Sequence, residues 1–154
     1  MMQTTYSHDP RFSYTLYIPP GVSDKQQLPL VVLIHGLQRK VGEMFDSYKE
    51  FADHNYCVLF IPLFPEGYDY QKLIDSWTDL RYDRLLLDMI DEITIKNTNI
   101  NTGKFFLHGY SAGGQFVHRF ACLCSNRLLA LSIGAPGSVI LIDDSGNGRK
   151  ERKI

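Results

Sequence analysis

The fold of this chain is decided by residues 105–114, which read Phe-Phe-Leu-His-Gly-Tyr-Ser-Ala-Gly-Gly. The first three residues are typical of a buried strand, and apolar residues at helical spacing follow over 116–123. A Gly-x-Ser-x-Gly sequence therefore stands at a sharp turn between a strand and a helix. Such a turn strains the backbone of Ser111 and holds its hydroxyl at the positive end of the helix. We expect Gly109 and Gly113 to remove side chains that would collide with Ser111. The alternative interpretation is an ordinary tight turn of an α/β sheet, with small residues chosen for packing.

Short apolar segments alternate with amphipathic ones along most of the chain. We predict strands at 12–18, 30–34, 56–61, 105–107 and 128–133, and helices at 43–54, at 80–93 and after the Gly-Ser turn to about residue 126. The aromatic segment 63–78 is interpreted as a packed loop or short cap, with a substrate pocket as the alternative. This order predicts an α/β fold with a mostly parallel sheet and helices on both faces. We expect one domain over residues 1–144 and a disordered tail over 145–154.

The composition is that of a globular protein. Of its 154 residues, 44% are hydrophobic and 21% are charged, and the formal net charge is −1. This charge argues against a surface dedicated to nucleic acid or anionic membranes. The start lacks the apolar core of a signal peptide, and no apolar run has transmembrane length, so the cytoplasm is the expected location.

No sequence motif for a metal or nucleotide cofactor is present. The cysteines and histidines lack metal-site spacing, and neither a P-loop lysine nor a Gly-x-Gly-x-x-Gly sequence occurs. We therefore expect no metal and no cofactor. A phosphate-binding domain that cradles its ligand with residues 109–114 at a helix start is a disfavoured alternative.

A second strand end carries residues that suit acyl transfer. In parallel sheets, reactive groups gather at the carboxyl ends of the strands, and His35-Gly36-Leu37 follows one of them. Acyl transfer needs two N–H donors aimed at the developing oxyanion, and each donor typically lowers the activation barrier by about 3 kcal/mol. The candidates are the backbone N–H groups of Leu37 and Ala112. We expect Gly36 to let the backbone approach closely.

Together these segments resemble the α/β-hydrolase superfamily, and within it the esterase-like members related to polyhydroxyalkanoate depolymerases. The resemblance rests on residues 30–36, 51–54, 57–62, 109–116 and 133–137 and spans roughly residues 12–144. It implies hydrolysis of a small-molecule carboxylic ester through an acyl-enzyme. The implied site residues are the nucleophile Ser111 within an elbow of Gly109, Tyr110 and Gly113, the oxyanion-hole amides of Leu37 and Ala112 beside Gly36, and His35 as a support of the oxyanion loop.

The chain departs from the family where the acid and the base are concerned. The family triad places an acid and then a histidine after the nucleophile. Only His118 follows Ser111, and two helical turns, about 10 Å, separate the two, so we expect a packing histidine there. His108 belongs to the strand before the turn and is a poor candidate base. Asp143 or Asp144 suits an acid position of some members, but an acid without its histidine orients nothing. We therefore expect an incomplete member of the family, with weak activity or none.

An incomplete chain would expose one strand of the sheet. If the usual strand order holds, residues 129–133 form the edge of the sheet rather than an interior strand. An apolar edge without protection invites pairing with a partner or with a second copy. A non-catalytic interaction module is therefore the alternative function.

Overall fold

The structure, a computed structural model, describes residues 2–23, 26–75, 78–141 and 150–153. Over these residues the strands are β1 (Met2–Thr5), β2 (Ser13–Tyr17), β3 (Leu28–Ile34), β4 (Val58–Leu63), β5 (Ile100–Tyr110), β6 (Leu128–Gly134), β7 (Ser138–Leu141) and β8 (Lys150–Lys153). The helices are α1 (Val41–Asn55), α2 (Tyr82–Lys96) and α3 (Ala112–Cys124). Short 3-10 turns lie at Tyr70–Lys72 and Ser125–Arg127.

Six strands form the main sheet in the order β1-β2-β4-β3-β5-β6. The pairs β4–β3, β3–β5 and β5–β6 are parallel, and β1 and β2 add an antiparallel extension at one side. The expected mostly parallel α/β sheet is thereby confirmed. Because β3 and β5 are adjacent and parallel, their carboxyl ends, at Ile34 and Tyr110, meet at the same edge of the sheet.

Helices cover both faces of this sheet, as expected. The larger core lies between the sheet and helices α2 and α3, and includes Phe105, Phe116 and Met89. The smaller core lies under α1 and includes Leu33 and Phe45. Every helix within the described residues is too short or too polar to cross a lipid bilayer.

The aromatic segment before α2 belongs to the larger core, which favours the packed-loop interpretation. Phe64 and Tyr70 are fully buried, and their rings stack with centroids 5.1 Å apart. Phe64 also stacks on Phe116 of α3 at 5.7 Å. The loop therefore ties the end of β4 to the helix that follows the Gly-Ser turn. Trp77 lies outside the described residues.

The observed strands differ from the expected ones in three places. The sequence analysis missed β1, whose short polar sequence has no apolar alternation, and β5 begins five residues earlier than expected, at Ile100. We expected this strand to end at residue 61, before Pro62, but β4 continues to Leu63. Proline is tolerated there because β3 pairs with β4 only as far as Phe60, so the missing N–H interrupts no parallel pairing.

The end of the chain also differs from the expectation. Lys150–Lys153 forms β8, which pairs antiparallel with β7, whereas we expected residues 145–154 to be disordered. The rest of that segment, together with Asp143 and Asp144, lies outside the described residues. The pairing shows that the composition of a charged run did not predict its local conformation.

Strand β6 forms one edge of the sheet, as its expected position implied. No described strand pairs with its outer side, and the side chains of Leu129 and Leu131 are 53% and 45% exposed. None of its seven residues carries a charge. The usual protection of an edge strand by charged side chains is therefore missing.

A buried carboxylate joins α2 to the chain between β1 and β2. Glu92 accepts hydrogen bonds from the Tyr14 hydroxyl at 2.7 Å and from the Ser7 amide at 3.0 Å, and the Ser7 hydroxyl also donates to it. The Lys96 Nζ also donates a hydrogen bond to the Glu92 carboxylate, at 2.9 Å. Burial opposes the charge, but these hydrogen bonds outweigh it and lower the pKa of Glu92 to about 2.

Candidate active site

Ser111 occupies the strained turn that the sequence predicts. Strand β5 ends at Tyr110 and α3 begins at Ala112, so Ser111 is the single residue between them. Its φ of 57° and ψ of −119° place it in a region that residues with a side chain rarely adopt. The Ser111 amide donates to the carbonyl of Gly134 at 2.9 Å, which anchors the turn to the end of β6. The observed strain agrees with the interpretation of the Gly-x-Ser-x-Gly sequence.

The glycines of the turn are required by contacts other than the expected one. A Cβ at Gly109 would lie 2.3 Å from the carbonyl oxygen of Gly113, and a Cβ at Gly113 would lie 2.1 Å from that of Ile34. Gly114 has the same restriction, at 2.7 Å from the Gly134 carbonyl. The collisions are thus with neighbouring backbone rather than with the serine. These glycines let α3 start directly against the ends of β3 and β6.

The loop after β3 lies beside Ser111. A Cβ built on Gly36 would stand 3.8 Å from the Ser111 Cβ and 3.7 Å from the Tyr110 carbonyl, which is ordinary contact. Close approach is therefore observed, but it does not require glycine at position 36, contrary to our expectation. Within the described residues, the amides of Leu37 and Ala112 donate to no acceptor. Neither N–H group is therefore engaged by another part of the described chain.

His35 joins the loop after β3 to the chain after β4. The ring is 1% exposed, its Nε2 accepts the Phe64 amide at 3.0 Å, and its Nδ1 lies 2.9 Å from the Gly36 carbonyl. Because Nε2 is an acceptor, the proton resides on Nδ1 and is donated to Gly36. Burial, helped by the nearby Arg39 charge, lowers the pKa of His35 to about 4. Tyr70 adds a 2.7 Å hydrogen bond to the His35 carbonyl.

A cleft of about 690 Å³ opens in front of Ser111. It lies between the loop after β3 and helix α1, and residues 35–40, Tyr110 and Ser111 line it. Its floor contains His108, whose Nε2 lies 2.9 Å from the Tyr48 hydroxyl and whose Nδ1 lies 3.0 Å from the Ser132 hydroxyl. The cleft is large enough for a small molecule and presents both apolar and polar groups to it.

No described residue hydrogen-bonds the Ser111 hydroxyl. Both ring nitrogens of His108 are engaged by Tyr48 and Ser132, although the ring lines the same cleft. Burial lowers the pKa of His108. His118 lies on α3 toward β7, where its Nδ1 is 3.5 Å from the Ile140 amide, in agreement with a packing role.

Sequence reasoning missed two parts of this site. Arg39 donates hydrogen bonds to three backbone carbonyls, one in the loop after β3 and two in the segment after β4, and Tyr48 belongs to the His108 network. An arginine in a loop has no periodic signal, and its carbonyl acceptors carry no sequence identity. Tyr48 lies at helical spacing among apolar residues and therefore resembles an ordinary core position. In the part of the chain that the structure describes, His, Cys, Asp and Glu side chains nowhere gather in threes or more as a metal site would require.

No protein-family model matches this sequence, and no curated protein sequence matches it. Solved structures do match. An acetyl xylan esterase from Aspergillus awamori is similar with a TM-score of 0.68 and 15% identity, over 86% of this chain and 50% of the esterase. A poly(3-hydroxybutyrate) depolymerase from Bordetella parapertussis has a TM-score of 0.64 and 22% identity, over 81% and 47% of the two chains.

An S-formylglutathione hydrolase from Agrobacterium tumefaciens is also similar, with a TM-score of 0.67 and 12% identity, over 86% of this chain and 55% of that one. The chain thus has the α/β-hydrolase fold, and the solved structures that it resembles are esterases, hydrolases and a depolymerase. It spans about half the length of these structures.

Proposed function

We propose that Ser111 is the nucleophile of a serine hydrolase that acts on small carboxylic esters. The observation that carries the proposal is the strained Ser111 at the β5–α3 turn, at the wall of a cleft. The unoccupied amides of Leu37 and Ala112 support it, because they suit the oxyanion of an acyl-transfer intermediate. The names of the similar structures favour ester chemistry over phosphate binding.

In this mechanism the Ser111 oxygen attacks the ester carbonyl and forms a tetrahedral oxyanion, while its hydroxyl proton passes to solvent water, from which the departing alkoxide later takes a proton. The amides of Leu37 and Ala112 stabilise that charge as it develops, and collapse of the intermediate expels the alcohol and leaves an acyl-enzyme. Attack by water on the acyl group then releases the acid. Since a serine without a hydrogen-bonded base is a weak nucleophile, we expect slow turnover from these residues alone.

Fluorophosphonate labelling tests this proposal directly. A fluorophosphonate should attach to Ser111, as located by peptide mass spectrometry, and p-nitrophenyl acetate should be hydrolysed above the buffer rate. Ser111→Ala should abolish both signals. Ser47→Ala is the matched control, because Ser47 also lines the cleft but its hydroxyl is engaged by the Glu43 carbonyl. An unlabelled protein, or label on another residue, would contradict the proposal.

The exposed edge supports a second candidate function, an interaction module. We propose that β6 pairs with β6 of a second copy, because its outer side has no described partner strand and its sequence carries no charge. Light scattering should then show a dimer, and Leu131→Lys should convert it to a monomer by placing a charge on that edge. A monomeric parent protein would refute this pairing and leave the hydrolase proposal untouched.

A further inference from the structure

One arginine joins the loop after β3, which lines the cleft, to the segment after β4. The guanidinium of Arg39 donates to the Phe64 carbonyl at 2.8 Å and to the Pro65 carbonyl at 3.0 Å, both in the segment after β4. It also donates to the carbonyl of Leu37 at 2.6 Å. Its Cζ lies 5.8 Å from the centre of the Tyr70 ring, within the range of a cation–π contact. All three acceptors are backbone atoms, so the arginine fixes the course of the chain.

The backbone of Arg39 takes part in the same arrangement. Its amide donates to the Gly36 carbonyl at 3.0 Å, which closes a tight turn over residues 36–39, and its own φ of 53° is left-handed. The carbonyls on both sides of Leu37, those of Gly36 and of Leu37 itself, are therefore bound by Arg39. Both peptide planes that meet at Leu37 are then fixed.

The direction of the Leu37 amide follows from these bonds. The described chain contains no cis peptide, and in a trans peptide the N–H points opposite to the carbonyl of the preceding residue. Because the Gly36 carbonyl is directed at Arg39 and at the His35 ring, the Leu37 N–H is directed away from them. That orientation leaves it without an acceptor in a loop that lines the cleft with Ser111.

We propose that Arg39 is the positioning residue of the oxyanion loop, which holds the Leu37 amide toward Ser111. The inference rests on the proposed hydrolase function, because an oxyanion hole has a role only if Ser111 reacts. A flexible loop would lose the preorganisation on which an N–H donor depends for its effect on the barrier. The guanidinium fork binds three carbonyls in different directions, which a lysine ammonium on a flexible stem would hold less rigidly.

The chain offers a close control for Arg39. The Arg127 guanidinium also donates to two backbone carbonyls, those of Gly103 at 3.0 Å and Thr102 at 3.2 Å, and it lies 5.9 Å from the Phe105 ring centre. These contacts lie near the start of β5, whereas Ser111 follows its end. Arg127→Ala therefore removes bonds of the same kind without touching the cleft.

The experiment uses the full chain and compares Arg39→Ala, Arg39→Lys and Arg127→Ala. The first readout is the rate constant for fluorophosphonate labelling of Ser111, which should fall about 10- to 100-fold in R39A, less in R39K, and stay within about twofold in R127A. Guanidinium ions at non-denaturing concentration should restore part of the rate in R39A alone. The second readout is hydrogen exchange of the amides of residues 39 and 64, which donate to the Gly36 carbonyl and to the His35 ring and should exchange faster in R39A than in R127A.

The outcomes separate the two proposals. A parent protein that does not label refutes the hydrolase function, whereas a parent that labels while R39A labels equally fast refutes the role of Arg39. Unchanged exchange of the amides of residues 39 and 64 in R39A refutes the positioning role whatever the labelling shows. If R39A does not fold, R39K decides the matter, because lysine keeps the positive charge but lacks the guanidinium fork. A slower labelling rate in R39K then supports the role of the fork, and an unchanged labelling rate overturns it.

Discussion

Acidification should destabilise this protein through His35 before the carboxylates of the fold are protonated. The ring is buried, with its Nε2 already accepting the Phe64 amide, so a second ring proton would face an N–H donor. Burial lowers the pKa of His35 to about 4, against a value of 6.5 for a solvated histidine. Below 6.5 the unfolded chain therefore takes up a proton that the folded chain refuses. The contribution to stability is complete above 6.5 and is lost as the pH falls toward 4.

The size of this effect follows from the two pKa values. Between about pH 7.5 and about pH 5, the free energy of unfolding should decrease by about 2 kcal/mol on account of His35 alone. His35→Gln keeps an acceptor for the Phe64 amide but cannot take up the proton. The stability advantage of the parent protein over H35Q should therefore shrink by that amount over the same interval.

Urea unfolding of the two proteins across this pH range measures the difference, which removes the contributions of all other groups. Imidazole NMR supplies a second measurement, in which the His35 resonances should titrate near pH 4. A parent-minus-variant difference that does not change with pH, or a His35 resonance that titrates near 6.5, would refute the reasoning.

Three other predictions concern stability. Gly113→Ala should lower the free energy of unfolding by about 3 kcal/mol or more, because its Cβ would lie 2.1 Å from the Ile34 carbonyl. Gly36→Ala should change the free energy of unfolding by less than about 1 kcal/mol, because its Cβ would make only ordinary contacts. Equal melting temperatures of the two variants would disprove this steric account. Ser111→Gly should raise stability by about 1 kcal/mol in thermal unfolding, since glycine adopts a φ of 57° without strain, and a lower melting temperature would contradict this. Glu92→Gln should lower the free energy of unfolding by at most about 3 kcal/mol at neutral pH. It should also weaken the loss of stability with falling pH between 4.5, the ordinary pKa of the side chain, and about 2, its pKa in the folded protein. An unchanged pH dependence in denaturation curves would exclude this role of the carboxylate.

The sequence by itself determined the order of the elements and the strained turn. Alternating apolar strands and amphipathic helices are local patterns, so they predicted the layered sheet, whereas the edge position of β6 was expected only from the family's usual strand order. The Gly-x-Ser-x-Gly spacing predicted the strained backbone of Ser111, because a strand that turns directly into a helix leaves few conformations for the residue between them. A polar strand such as β1 carries no such pattern and was missed.

Only the tertiary structure decided how the site is held together. The carbonyls that exclude a side chain at Gly113, the tautomer of His35 and the three acceptors of Arg39 all depend on residues brought together from different loops. Backbone carbonyls are the same in every residue type, so the sequence does not mark which of them a side chain will meet. The turn at Ser111 is local and could be predicted, whereas the cleft around it arises from the packing of distant segments.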